Sequence, residues 1–200
     1  MAYLLPAEYA EFGLSEETAD AWVVAASAMI DAHCKRASLL VTNYTERMRV
    51  GERQRVVLSY GPVSAVTAAR AKYATLTERL EGFVPFQEFV AGAFGLTGQW
   101  IDVDVTTLDV DAATGEVAFG HALGLRYSDV EITYTAGLAV VPDAVKVACA
   151  QVVKNAQATP GLNVKSTKMD TLQTEYFSDS LIDSQVQALL RPYVAERLGG

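Results

Sequence analysis

Alternation of apolar and polar positions is clearest near the middle of the chain. Val130, Ile132 and Tyr134 alternate with Asp129, Glu131 and Thr133, the period of a half-buried strand. Ala136-Gly137 breaks the pattern, because glycine adopts backbone angles that other residues avoid. Pro142 then stands where a helix's first turn tolerates a missing N–H. From there Val145, Ala148, Cys149, Val152 and Ala156 recur at helical spacing and predict one buried face. Asp143 at the start and Lys154 near the end both suit the helix dipole.

Upstream, Pro6 to Phe12 predicts a short helix stopped by Gly13. Ser15 is expected to cap a longer helix running to about residue 34, with Glu16 and Glu17 in its first turn. Ala19, Trp22, Val23, Ala26, Met29, Ile30 and His33 form its apolar stripe. Val24 and Ala25 lie outside that stripe. So wide an apolar surface suits contacts on two sides, as an oligomer's subunit needs, or a helix buried in its own fold.

After Ala37 the period shifts, with Leu39 to Val41 a short strand or a helix end. Met48 and Val50 alternate with Arg47 and Arg49, Gly51 turns, and Val56, Leu58 and Tyr60 continue as a second strand. Gly61-Pro62 leads into a third strand, Val63 to Ala71. Residues 72 to 98 carry little pattern beyond Phe83, Phe86 and Phe89, expected to pack a loop onto the sheet. Ile101, Val103 and Val105 alternate with Asp102 and Asp104, and Asp111 to Gly115 predicts a hairpin loop returning into Val117 and Phe119.

Thr159-Pro160-Gly161 ends the long helix, and residues 162–177 read as polar and extended. Ser180 and Asp183 form a capping-box signature. Ile182, Val186, Leu189, Leu190, Tyr193 and Val194 share one side of a last helix that Pro192 should bend. The expected fold class is α+β: a helical bundle from the N- and C-terminal thirds with an inserted, mostly antiparallel β-rich lobe. The expected parts are 1–45, 46–138 and 139–200, the first and last packing as one helical core.

Composition narrows this picture. The 200 residues are 50% hydrophobic, enough for one substantial domain or two lobes without covalent staples. No apolar run of about 18 residues exists, so no membrane span is expected. The first residues lack the basic region of a signal peptide. Cys34 and Cys149, each inside a predicted helix, read as buried free thiols. A net charge of −8 disfavours tight binding to a phosphate backbone, yet leaves DNA free to slide past an acidic wall.

Candidate chemistry is sparse. His33 sits on an apolar stripe, and His121 has no ligand-type neighbour at metal spacing. Asp102, Asp104, Asp109 and Asp111 are the best acidic group, and a metal-dependent hydrolase using them is the reading from another functional class. As a calcium loop the segment from Asp109 fails: its glycine comes one place late, Ala113 takes a ligand position and Gly120 replaces the closing Glu. No Gly-rich phosphate loop or nucleophile elbow occurs. Cys34, beside Lys35 and Arg36, lacks a base partner on its own helical face. Arg47, Arg49, Arg53 and Arg55 span the expected hairpin and read as a solvated or inter-subunit face. No catalytic residue, metal or cofactor is expected.

Three places resemble the head–tail connector, or adaptor, family of tailed bacteriophages. One is the helix exit from Ala25 through Arg36 to Tyr44-Thr45-Glu46-Arg47. Another is Tyr60-Gly61-Pro62-Val63-Ser64-Ala65-Val66. The third is Tyr134-Thr135-Ala136-Gly137 with Val141 to Lys146, then Leu189-Leu190-Arg191-Pro192-Tyr193. Residues 67 to 128 are longer than in the family's compact members. The resemblance implies a non-enzymatic virion protein, made in the bacterial host cytoplasm and placed in the neck between head and tail. It would form a closed ring, expected as a dodecamer, between the portal protein and a neck stopper or tail terminator, with double-stranded DNA passing untightly. A neck stopper or tail-completion protein is the neighbouring alternative. The C-terminal segment of such proteins reaches the portal, which makes Ile182, Val186, Leu189, Leu190, Tyr193 and Val194 the docking candidates. Trp22, Val24, Met29, Arg47 and Arg49 are the inter-subunit candidates.

Overall fold

The computed structural model describes residues 2–51, 53–74, 92–96, 98–120, 126–158, 166–169, 172–175 and 181–195. Phe83, Phe86, Phe89, His121, Ser180 and Leu198 lie outside them. The chain divides into two compact units, one built on Leu40–Ala139 and the other on Met1–Leu39 with Val140–Val194.

The unit of Leu40–Ala139 is two antiparallel sheets. Its strands are β1 (Thr42–Arg49), β2 (Arg55–Val57), β3 (Val63–Tyr73), β4 (Trp100–Val103), β5 (Asp109–Asp111), β6 (Glu116–Ala118) and β7 (Tyr127–Ala136). One sheet runs β1-β7-β3-β4 and the other β2-β6-β5. Val56, Leu58, Val117 and Phe119 of the small sheet share a core with Ala71, Val130, Ile132 and Tyr134 of the large one. The alternation read at Val130, Ile132 and Tyr134 thus faces this core, and all three side chains are fully buried. Tyr134 keeps its hydroxyl satisfied by donating to Glu46 at 2.7 Å and accepting from the Tyr60 N–H at 3.3 Å.

The hairpin expected from β1 into β2 does not form. β1 pairs with β7, and β2 pairs with β6 in the other sheet. Gln54 explains the redirection. It is buried in a left-handed conformation, φ 54°, and its amide accepts from Tyr127 N–H at 2.7 Å while donating to Tyr127 C=O at 3.2 Å and Gly51 C=O at 3.2 Å. The connection is thereby tied to the start of β7 and leaves β1's free edge behind. At the far end of β7, Gly137 has φ 133°, and a Cβ there would lie 2.5 Å from the Leu40 carbonyl oxygen. Only glycine allows this crossing of backbones, where Leu40 and Leu138 make a parallel bridge.

The other unit carries α1 (Asp20–His33), α2 (Asp143–Ala158), α3 (Ser184–Leu190) and the hairpin of β8 (Ser166–Met169) and β9 (Leu172–Glu175). α2 packs against both α1 and α3. Its predicted face, Val145, Ala148, Cys149, Val152 and Ala156, is buried, and Ala150 and Val153 widen it. Ser27 in α1 lets the helices approach: its hydroxyl donates to Val23 C=O at 2.7 Å, accepts Tyr3 N–H at 3.0 Å and lies 3.8 Å from the Cys149 sulfur.

The helical bundle expected from the two terminal thirds is wrong. Among the described residues the α-helices set out above have 14, 16 and 7 residues, against nine strands paired antiparallel. α1 starts at Asp20, not at Ser15, whose hydroxyl accepts the Glu17 N–H at 3.2 Å in a local turn. Pro6–Glu8 is a single 3-10 turn. Part of the polar stretch after α2 pairs with itself as β8 and β9. α3 is capped by Asp183, which accepts Val186 N–H at 2.8 Å, and it ends at Leu190. Pro192 does not bend a longer helix; it sits in a 3-10 turn, Arg191–Tyr193, because its ring supplies no N–H to continue.

Candidate functional site

Strand register assembles one face that no local motif announces. On the side of the large sheet away from the core, Arg47 stands opposite Glu131, Glu131 opposite Arg70, and Arg70 opposite Asp102. The adjacent row reads Arg49, Asp129, Lys72 and Trp100. Each strand shows only outward residues at period two; pairing is what sets the signs side by side.

Within this face the charges are unevenly satisfied. Glu131 takes Arg70 at 2.5 Å, and Asp129 lies 3.9 Å from Lys72. Arg47 has no carboxylate among the described residues and places its guanidinium 4.8 Å from the Trp100 ring centroid, with that of Arg70 at 5.8 Å. Two open grooves lie on this unit. One, of about 650 Å³, is lined by Arg47, Arg49, Lys72 and Arg126 with Asp129 as its single carboxylate. The other, of about 410 Å³, holds Asp102, Asp104 and Glu131 around Arg70. Among the described residues Arg49 and Arg126 make no ion pair. Guanidinium groups neither accept hydrogen bonds nor deprotonate, so the three arginines of the first groove can hold an anion but move no proton.

The acidic group read from the sequence is spread along Asp102–Asp111. Asp102 is on β4, and Asp104 caps a 3-10 turn, accepting from Thr106 hydroxyl at 2.7 Å and Thr106 N–H at 2.9 Å. Asp109 and Asp111 are on β5, where Asp111 accepts Ala113 N–H at 2.9 Å. The Thr106 and Thr114 contacts first, then these loop amides, hold Asp104 and Asp111 below the usual carboxylate range. Such bonds keep both ionised as loop caps. Among the described residues no three His, Cys, Asp or Glu side chains come together as metal ligands. Burial pushes the Cys34 thiol up to about 11 and raises Cys149 too, so neither supplies a ready thiolate.

The remaining candidates fall on both units. On α1, Trp22 and Val24 are 44% and 47% exposed and Met29 is half-buried. Arg47 and Arg49 line the basic groove, whereas Arg55 faces Glu116 of the small sheet at 2.5 Å. Near the C-terminus, Val186 and Leu190 are fully buried, while Ile182, Leu189, Tyr193 and Val194 are half-buried. Lys72, Trp100 and Arg126 were missed as site residues. Alternation around Arg70 and Lys72 marks an outward face, but nothing local marks its neighbours.

No family model and no curated protein matches the chain. Among solved structures it is similar to a chain in the neck of an empty gene transfer agent particle, computed with C6 symmetry, at 18% identity and a TM-score of 0.53, over 99% of this chain and 92% of that one. It is also similar to a chain in the virion of a native gene transfer agent particle, at 19% identity and a TM-score of 0.54, with the same coverage of 99% and 92%. The two units together therefore follow a fold used in a phage-like neck and virion.

Proposed function

We propose that this chain is a structural virion protein of a phage-like neck, a subunit of the adaptor ring joining the portal to the neck or tail around the DNA channel. The observation that carries the reading is the extent of the likeness: 99% of this chain and 92% of a neck chain correspond, so both units participate. The net charge of −8 agrees with a passage that DNA crosses without sticking. Sixfold averaging of the similar neck accommodates six or twelve copies, and twelve remains our expectation.

The portal contact then falls to the accessible side chains around the C-terminal turn, Leu189, Tyr193 and Val194, since Val186 and Leu190 are spent inside the fold. A neck stopper or tail-completion protein is the second reading, because the description of the similar particle names the neck without a tier. Disrupting the gene in the phage or agent that carries it tests both. Filled heads without tails are expected. Copurification of the wild-type chain with the portal supports the adaptor tier, and copurification only with tail proteins supports the second. Particles with tails and normal infectivity would contradict both.

A further inference from the structure

We infer that the basic groove receives the acidic edge of a second copy of this chain, so that copies join head to tail. This rests on the ring reading above and assigns its contact surfaces. The groove carries four cations and one carboxylate in a protein whose net charge is −8. Local charge so opposed to the whole needs a compensating anion, and the chain itself presents one. Asp102 and Asp109 are exposed and, among the described residues, their side chains make no ion pair or hydrogen bond, as Arg49 and Arg126 make no ion pair.

The two surfaces cannot satisfy each other within one molecule. Arg49 is on β1 and Asp102 on β4, the opposite edges of the large sheet, and Asp109 is on β5, an edge strand of the small sheet. β4 runs away from the groove: Trp100 is level with Lys72, and Val103 is level with Ala69. Asp104 therefore starts about 13 Å further along the strand direction. A surface on one edge meeting a different surface on the other is a heterologous contact, the kind that generates rings when its rotation closes. β1 is also an eight-residue edge strand, and its outward charges bias what can lie beside it toward an oppositely charged neighbour. A nucleic-acid phosphate is the competing anion. The acidic remainder of the chain repels a polyanion, so a carboxylate edge fits better.

Charge reversal tests the inference. Arg49→Glu with Arg126→Glu reverses the groove, and Asp102→Arg with Asp109→Arg reverses the edge. Arg49, Asp102 and Asp109 are exposed and Arg126 half-buried, so each double variant should stay folded, with a slightly lower melting temperature because Asp129 and Arg70 then face like charge across the strands. Sedimentation is measured for each, alone and with the portal. Wild type should assemble, with assembly weakened by salt; both double variants should lose it. The quadruple variant, whose net charge is again −8, should recover it. If wild type assembles and either double variant still does, or the quadruple variant fails, this interface is overturned while the ring stands. If wild type never assembles, the ring reading falls and takes the interface with it. A short DNA duplex retained by wild type and released by the groove variant would reassign the groove to phosphate and overturn the inference.

Discussion

At the scale of single residues, two positions hold the β unit together for reasons outside hydrophobic patterning. Gln54 places a polar amide in the interior, where it pairs with both backbone groups of Tyr127. Gln54→Met keeps the bulk and strands those groups, so we expect a loss of about 2–4 kcal/mol, read as a lower denaturant midpoint at unchanged slope. A midpoint within error of wild type would show that water replaces the amide. Gly137 is the other. Its φ of 133° and the Leu40 carbonyl 2.5 Å from a would-be Cβ make Gly137→Ala costly on both counts. We expect about 3 kcal/mol or more, because backbone must move. Equal stability of the alanine variant would mean the Leu40–Leu138 crossing is dispensable.

At the scale of elements, the cap of α3 links stability to pH. Donation from Val186 N–H, then from Asn155, holds Asp183 below the usual carboxylate range. A lowered folded-state pKa means its stabilisation is complete above the unfolded value, about 3.9, and fades as pH falls through the folded value. Glu8, held low chiefly by Lys146, contributes with the same sign. Asp31, raised by burial, opposes them: protonation in acid relieves its cost. The melting temperature should fall as pH drops below about 4, and Asp183→Asn, which still caps, should flatten that fall. For this half-buried carboxylate at a helix end the effect is modest, about 1 kcal/mol or less. An unchanged slope would assign acid sensitivity elsewhere.

These elements were unevenly legible in the sequence. The strand at Val130–Tyr134, the helix after Pro142 and the β5–β6 hairpin were readable because period, proline and turn chemistry agree over a short span. α1 began four residues later than a cap at Ser15 suggested, since a serine that binds its own local backbone signals a turn as readily as a cap. The partner of β1 was not legible, because sequence adjacency favours a hairpin while Gln54's side-chain bonds decide otherwise. The same gap hid the basic groove. Arg47 and Arg49 are two positions apart in the chain, but Lys72 and Arg126 join them only through the fold.

At the scale of the whole molecule, packing and docking separate at neighbouring leucines. Leu190 is fully buried and Leu189 half-buried. Leu190→Asp should unfold or strongly destabilise the chain, because an unpaired charge has no place there. Leu189→Asp should keep the fold yet leave heads filled but tailless. Infectious particles from a soluble Leu189→Asp variant would remove this side chain from portal binding.

Whether this chain works as a ring is measured directly by the native mass of the purified protein, alone and then mixed with the portal from the same particle. A discrete, ring-sized species in at least one condition is the predicted result. A strict monomer in both would contradict the account.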